Sequence, residues 1–206
     1  MPRCRAVVFD LGGVLCGFDP PRRLAAISKA TGLTQGDIKA RIWDSGFDRE
    51  CDEGRFTLKE IFEEFPRRLG TDLPPEKVTS LYFAAFPEWP EVIALVDRLH
   101  PAIRRAILTN NGPLVRHGLP LFAPNVFARF PPEDICLASD FGDVKPAAEV
   151  YDGMAAHLGI APGELFFIDD SEKNAEGARV AGWSAHHFSD AASLKRILLE
   201  LQLLLG

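Results

Sequence analysis

The sequence predicts an α/β fold: a parallel sheet covered by helices on both faces, with a helical domain inserted after the first strand. Three observations predict it. Short apolar segments alternate with helical patterns along most of the chain, as parallel strands joined by crossover helices require. The stretch from Pro20 to Phe86 carries helical patterns and no strand pattern. Polar residues follow directly on the apolar segments, at the strand ends where open α/β sheets bind their ligands.

Four segments read as buried strands: Ala6–Phe9 (AVVF), Arg105–Leu108 (RAIL), Ile135–Ala138 (ICLA) and Leu165–Ile168 (LFFI). Each is too short and too continuously apolar for an amphipathic helix. Ser184–Phe188 is a fifth candidate. Helical patterns cover Glu91–Leu99, Ala147–Leu158, Asn174–Ala181 and Leu194–Leu204, with Gly159 and Gly182 at expected helix stops. Within the insert, Thr34 to Asp37 and Thr57 to Glu60 have the spacing of N-terminal capping boxes, and Pro74-Pro75 opens a helical run over Glu76–Phe86. The expected organisation is a Rossmann-like core from 1–19 and 87–206 and a helical cap from 20–86.

The chain has 206 residues, 47% apolar and 25% charged, enough for one α/β domain with an insertion. Its formal net charge is −6, with no basic block, so nucleic acid and anionic membrane surfaces are not expected partners. An anionic ligand would need a local site or a metal ion. The four cysteines form no C-x-x-C pair and are not spaced with the five histidines as zinc ligands. The N-terminus lacks the apolar region of a signal peptide, and no apolar run is long enough to span a bilayer. A reduced cytoplasmic protein, monomer or homodimer, is the expectation.

The chemistry lies where the polar residues fall. Asp10 follows AVVF, Thr109-Asn110-Asn111 follows RAIL, Ser139-Asp140 follows ICLA with Lys145-Pro146 shortly after, and Asp169-Asp170 follows LFFI. A parallel sheet brings these groups to one edge. Asp10 and the Asp169-Asp170 pair offer hard oxygen ligands for Mg²⁺. Thr109 offers a hydroxyl donor, Asn110 backbone and side-chain donors, and Lys145 a positive charge. Together they suit a phosphate dianion held for in-line attack.

Asp-Leu-Gly-Gly-Val-Leu (10–15), Leu-Thr-Asn-Asn (108–111), Lys145-Pro146 and Phe-Ile-Asp-Asp-Ser (167–171) resemble the four ordered motifs of the haloacid dehalogenase superfamily. The insert resembles that family's C1-type cap. The first motif is similar to that of the bacterial glucose-1-phosphate phosphatase-like members. The resemblance implies that Asp10 attacks phosphorus and forms an aspartyl-phosphate, and that Thr109 and Lys145 hold the phosphoryl oxygens. It implies Mg²⁺ held by Asp10, the Gly12 carbonyl and Asp170, with Asp169 supporting Lys145 and Asn110 and Asn111 contacting substrate. The implied reaction is hydrolysis of a small phosphorylated metabolite, such as a sugar phosphate.

Two positions depart from the pattern. Most phosphatases of the superfamily carry an Asp two residues after the nucleophile as general acid. Here that residue is Gly12, and Asp19 is the nearest spare carboxylate in sequence. Asn174 stands where many relatives carry another acid. Other residues have bland readings: Cys16 as a buried apolar side chain, Trp43, Phe47 and Phe56 as cap core, Asp44, Asp48, Glu50 and Glu53 as a solvated face, and His117 as a surface group. Three rival readings compete with this one. A haloacid dehalogenase would attack carbon without metal, and the acidic pair opposes that. A receiver-type phosphoacceptor has its acidic pair first, its Lys-Pro last and no helical cap, whereas here the acidic pair comes last. A catalytically weak phosphometabolite-binding protein draws support from Gly12.

Overall fold

A computed structural model of the chain describes residues 4–205. Ala6–Phe9 forms strand β1, Arg104–Thr109 β2, Ile135–Leu137 β3, Leu165–Asp169 β4 and Ser184–His187 β5. They make one sheet in the order β3-β2-β1-β4-β5, with every pairing parallel. β1 is central, and Phe9 stands in register with Ile107 on one side and Ile168 on the other. The register therefore sets Asp10 between the ends of β2 and β4.

Alternation along β1 divides the core in two. Val7 and Phe9 enter a larger apolar cluster, while Ala6 and Val8 enter a second cluster on the opposite face. A strand buried on both faces has no polar position, so AVVF reads as a continuous apolar run.

Between β1 and β2 lie helices α1 (Pro20–Thr31), α2 (Gln35–Ile38), α3 (Phe47–Asp52), α4 (Leu58–Leu69), α5 (Pro75–Phe83) and α6 (Pro90–Asp97), with a π-helical turn over Lys39–Trp43. Thr57 and Glu60 form a complete capping box. At Thr34 the hydroxyl accepts from the Asp37 N–H and donates to the Asp37 carboxylate, so the shorter acid does not reach back to the Thr34 N–H. The remaining helices are α7 (Pro113–Phe122), α8 (Pro124–Phe127), α9 (Ala148–Leu158), α10 (Glu172–Val180) and α11 (Ala191–Glu200).

Several element boundaries differ from the sequence expectation, by up to four residues. α11 stops at Glu200 rather than Leu204, because Gln202 turns left-handed (φ 57°) and Leu204 bridges to Leu99. α5 stops at Phe83 rather than Phe86, just short of Pro87. α10 starts at Glu172 rather than Asn174. No described helix is long and apolar enough to cross a membrane.

Candidate active site

Asp10 is 9% exposed, and its backbone N–H donates to the Ile168 carbonyl at 2.8 Å, tying the turn after β1 to β4. One carboxylate oxygen, Oδ1, takes both the Leu11 N–H at 2.7 Å and Lys145 Nζ at 3.0 Å. Oδ2 is left for a ligand. Burial raises the Asp10 pKa to about 6, Lys145 pulls it down, and Asp169 pushes it up again.

Lys145 is 3% exposed and follows β3 through a loop that ends in a cis Lys145-Pro146 bond. Its ammonium contacts Asp169 Oδ2 at 2.7 Å, the Leu108 carbonyl at 2.9 Å and Asp10. Burial opposes its charge, but Asp10 and Asp169 outweigh burial and hold its pKa above the usual lysine value. Asp169 is fully buried and fully used: Oδ2 serves Lys145, and Oδ1 accepts from the Ser171 N–H at 2.9 Å and the Asn174 amide at 3.0 Å. Asn174, a departure in sequence, thus orients the acid that orients Lys145.

Asp170 is exposed, and oxygens of Asp10, Asp169 and Asp170 lie within 4.8 Å of one another. Its pKa is raised by burial and then by Asp169. The carboxylate lies against Gly13, where a Cβ would stand 2.4 Å from Oδ2. Gly13 also has φ 81°, so this position requires glycine twice over. Three carboxylates against one ammonium leave uncompensated negative charge beside hard oxygen donors. That donor set fits a divalent cation that prefers oxygen.

Thr109 closes the other side at the end of β2. Its hydroxyl is 1% exposed and donates to Asn111 Oδ1 at 2.8 Å. The Asn110 side chain, expected from sequence to contact substrate, is turned to the Lys145 backbone. Its Oδ1 accepts the Lys145 N–H at 2.8 Å, and its Nδ2 donates to the Lys145 carbonyl at 3.1 Å. Both polar atoms clamp the lysine backbone, and the Asn111 carbonyl oxygen is likewise spent on Thr109.

The helical segment supplies a residue that sequence reasoning missed. Asp52, at the end of α3, accepts the Gly112 N–H at 2.9 Å. The approach is so close that a Cβ on Gly112 would stand 2.3 Å from the Cys51 carbonyl oxygen. Burial raises the Asp52 pKa to about 7, Asp48 adds to the rise, and the Gly112 N–H opposes it. Asp48 is not the solvated acid expected from sequence: it pairs at 2.8 Å with the buried Arg23, whose guanidinium also lies 4.6 Å from the Tyr82 ring centre and 5.1 Å from that of Trp43. Glu53 pairs with Arg55 at 2.9 Å. Asp48, Asp52, Trp43, Asn110 and Val144 line a cleft of about 350 Å³ between the helical segment and the sheet edge. A larger hollow of about 440 Å³, near Pro20 and Gln35, holds none of the sheet-edge groups.

Asp19 does not join these groups. Its exposed carboxylate caps α1 by accepting the Arg22 N–H at 3.0 Å. Cys16 is buried, and burial followed by Glu88 pushes its thiol to about 12, too high for a nucleophile at neutral pH. Phe47 is buried edge-on to Phe56, and exposed His117 packs edge-on against Phe62. Gly12 has an ordinary φ; the left-handed residue is its neighbour Gly13. A Cβ at Gly12 would stand 3.1 Å from the Phe86 ring. Gly12→Asp is therefore expected to destabilise through crowding, by about 1–3 kcal/mol. Denaturant titration checks this: Gly12→Asp with Phe86→Leu should lose less than the sum of the two single changes.

A family model described as haloacid dehalogenase-like hydrolase matches residues 4–182, and the chain belongs to that family. It is 30% identical over 191 residues to Phosphatase MT3486 of Mycobacterium tuberculosis, covering 88% of this chain and 85% of that protein. It is 24% identical over 199 residues to D-ribitol-5-phosphate phosphatase of Bacteroides thetaiotaomicron, covering 93% and 95%. Among solved structures, HAD family enzyme bt-2542 of Bacteroides thetaiotaomicron, in complex with magnesium and inorganic phosphate, superposes with a TM-score of 0.76. That match is 22% identical and covers 93% of this chain and 98% of the other.

Proposed function

We propose that this hydrolase is a magnesium-dependent phosphatase of small phosphate monoesters, with Asp10 as a transiently phosphorylated nucleophile. The observation that carries it is the buried Asp10–Lys145–Asp169 arrangement with Asp170 beside it at one sheet edge. The two phosphatases among its relatives and the magnesium and phosphate complex of bt-2542 support the reading.

Asp10 Oδ2 attacks phosphorus while Lys145 fixes the other oxygen and offsets charge. Thr109 and the backbone of the turn after it face the phosphoryl oxygens. Asp10, Asp170 and the Gly12 carbonyl would hold Mg²⁺, whose charge would offset repulsion between carboxylate and phosphate. Lys145 and Asp10 keep their alignment because Asn110 and Asp169 fix the lysine at backbone and ammonium. The segment 20–86 acts as a cap that encloses the leaving group and limits water. The substrate is a small phosphorylated metabolite, a polyol or sugar phosphate among the candidates, and the protein works in the cytoplasm.

Phosphate release from a panel of esters tests this. Activity should require Mg²⁺ and disappear in excess chelator. Ca²⁺ should inhibit, because it accepts more ligands than Mg²⁺ and would compete for the oxygens of the nucleophile. Full phosphate release in chelator would remove the metal from the mechanism, and halide release from haloacids without phosphate release from esters would replace the phosphatase reading with the dehalogenase one.

A further inference from the structure

Gly12 provides no proton, and Asp19 is spent on a helix cap. In-line displacement sends the leaving oxygen of an ester bound at Asp10 away from the nucleophile, and a cleft between the helical segment and the sheet edge opens beside the turn after β2. Asp52 stands in that cleft. Its Oδ1 is fixed by the Gly112 N–H, and Gly112 belongs to the same turn as Thr109 and Asn110. Asn110 lines the cleft beside Asp52 and clamps Lys145, which contacts Asp10. One hydrogen bond thus holds a carboxyl of the helical segment to the turn that cradles phosphate. Among the described residues, its second oxygen has no hydrogen-bond partner.

We propose that Asp52 is the general acid–base group on the leaving-group side of this site, taking the role that Gly12 cannot fill. The assignment rests on the phosphatase reading. In the first half-reaction, Asp10 forms its bond to phosphorus as the ester P–O bond breaks. The departing oxygen keeps the electron pair, takes the Asp52 proton and leaves as an alcohol. In the second, the Asp52 carboxylate takes a proton from water as the water oxygen attacks phosphorus. The P–O bond to Asp10 breaks, the electron pair returns to Asp10, phosphate leaves, and Asp52 is protonated again.

The surroundings suit the task. Asp48 and Glu53 face Asp52 from its own neighbourhood and favour its proton, as does burial; the Gly112 N–H and Arg23 of α1 oppose it, and the Tyr82 hydroxyl of α5 lies nearby. The resulting pKa of about 7 is close to that of an ideal acid–base catalyst at neutral pH.

The experiment compares the parent with Asp52→Asn on an alkyl phosphate and on 4-nitrophenyl phosphate, with Mg²⁺ present. The amide oxygen still accepts the Gly112 N–H. Turnover of the alkyl ester should fall by about 10²–10⁴-fold. With the nitrophenyl ester, a burst of nitrophenolate should persist, because that leaving group needs no proton, while steady turnover slows for want of the base. The decline of the parent's alkyl kcat/KM above about pH 7 should vanish in the variant. Equal slowing of the burst and of the alkyl reaction, or no slowing at all, would overturn the assignment. The parent alone gives a second measurement should the variant misfold: the alkaline decline should appear with the alkyl ester and not in the nitrophenyl burst, and its absence from the alkyl reaction is equally fatal. A parent that releases no phosphate from any ester would overturn the phosphatase reading itself.

Discussion

Asp10→Asn is expected to abolish phosphate release while leaving the fold intact. Both hydrogen bonds to the Asp10 carboxylate fall on Oδ1, from Leu11 N–H and Lys145 Nζ. An asparagine keeps both through its carbonyl oxygen and places its NH₂ group where Oδ2 stood. The variant therefore retains the positioning, loses the nucleophile, and offers a metal a neutral amide in place of a carboxylate. Deleting a covalent nucleophile in a hydrolase removes on the order of 10⁶ in turnover, so the residual rate should fall to background. Lys145 keeps Asp169 as its counter-charge, and no buried charge is orphaned. The measurements are phosphate release with Mg²⁺ and thermal melting. Activity within tenfold of the parent, in a protein with the parent's melting temperature, would remove Asp10 from the mechanism.

Most parts of the site that were legible in sequence share one property: each ends or follows its own strand. AVVF, RAIL and LFFI announce buried strands, and a parallel register needs no further information to bring Asp10, Thr109 and Asp169 to one edge. Lys145 was legible through its motif. What was not legible depends on contacts between distant segments. Asn110 looks like a ligand donor until Lys145, 35 residues on, is seen to occupy both its polar atoms. Asp52 lies 60 residues from Gly112, and neither position carries a local signal of the other. The one clue is that Asp48 and Asp52 are four apart on α3 and so share a face. Gly12 and Gly13 were indistinguishable in sequence, because φ is fixed by the turn that they enter. The structure assigns the left-handed conformation to Gly13 and the crowding by Phe86 to Gly12.

Lys145→Met is expected to cost stability as well as activity. Among the described residues, the lysine is the one cation in contact with both Asp10 and Asp169, and all three of its donors are used. Methionine fills much of the same volume but leaves Asp169 fully buried with no counter-charge on Oδ2. Removing one partner of a buried ion pair typically costs about 3–5 kcal/mol. Turnover should fall by at least about 10²–10³-fold, the loss typical of deleting one charge-stabilising donor. A double-mutant cycle separates the two effects. Asp169→Asn removes the orphaned charge, so the pair Lys145→Met with Asp169→Asn should be less destabilised than the two single losses added together. It should still be inactive, because the phosphoryl group has lost its cation. Urea denaturation and phosphate release read the two quantities independently. Additive losses would mean that the lysine acts on Asp10 alone, and parent-like turnover in Lys145→Met would remove it from the reaction.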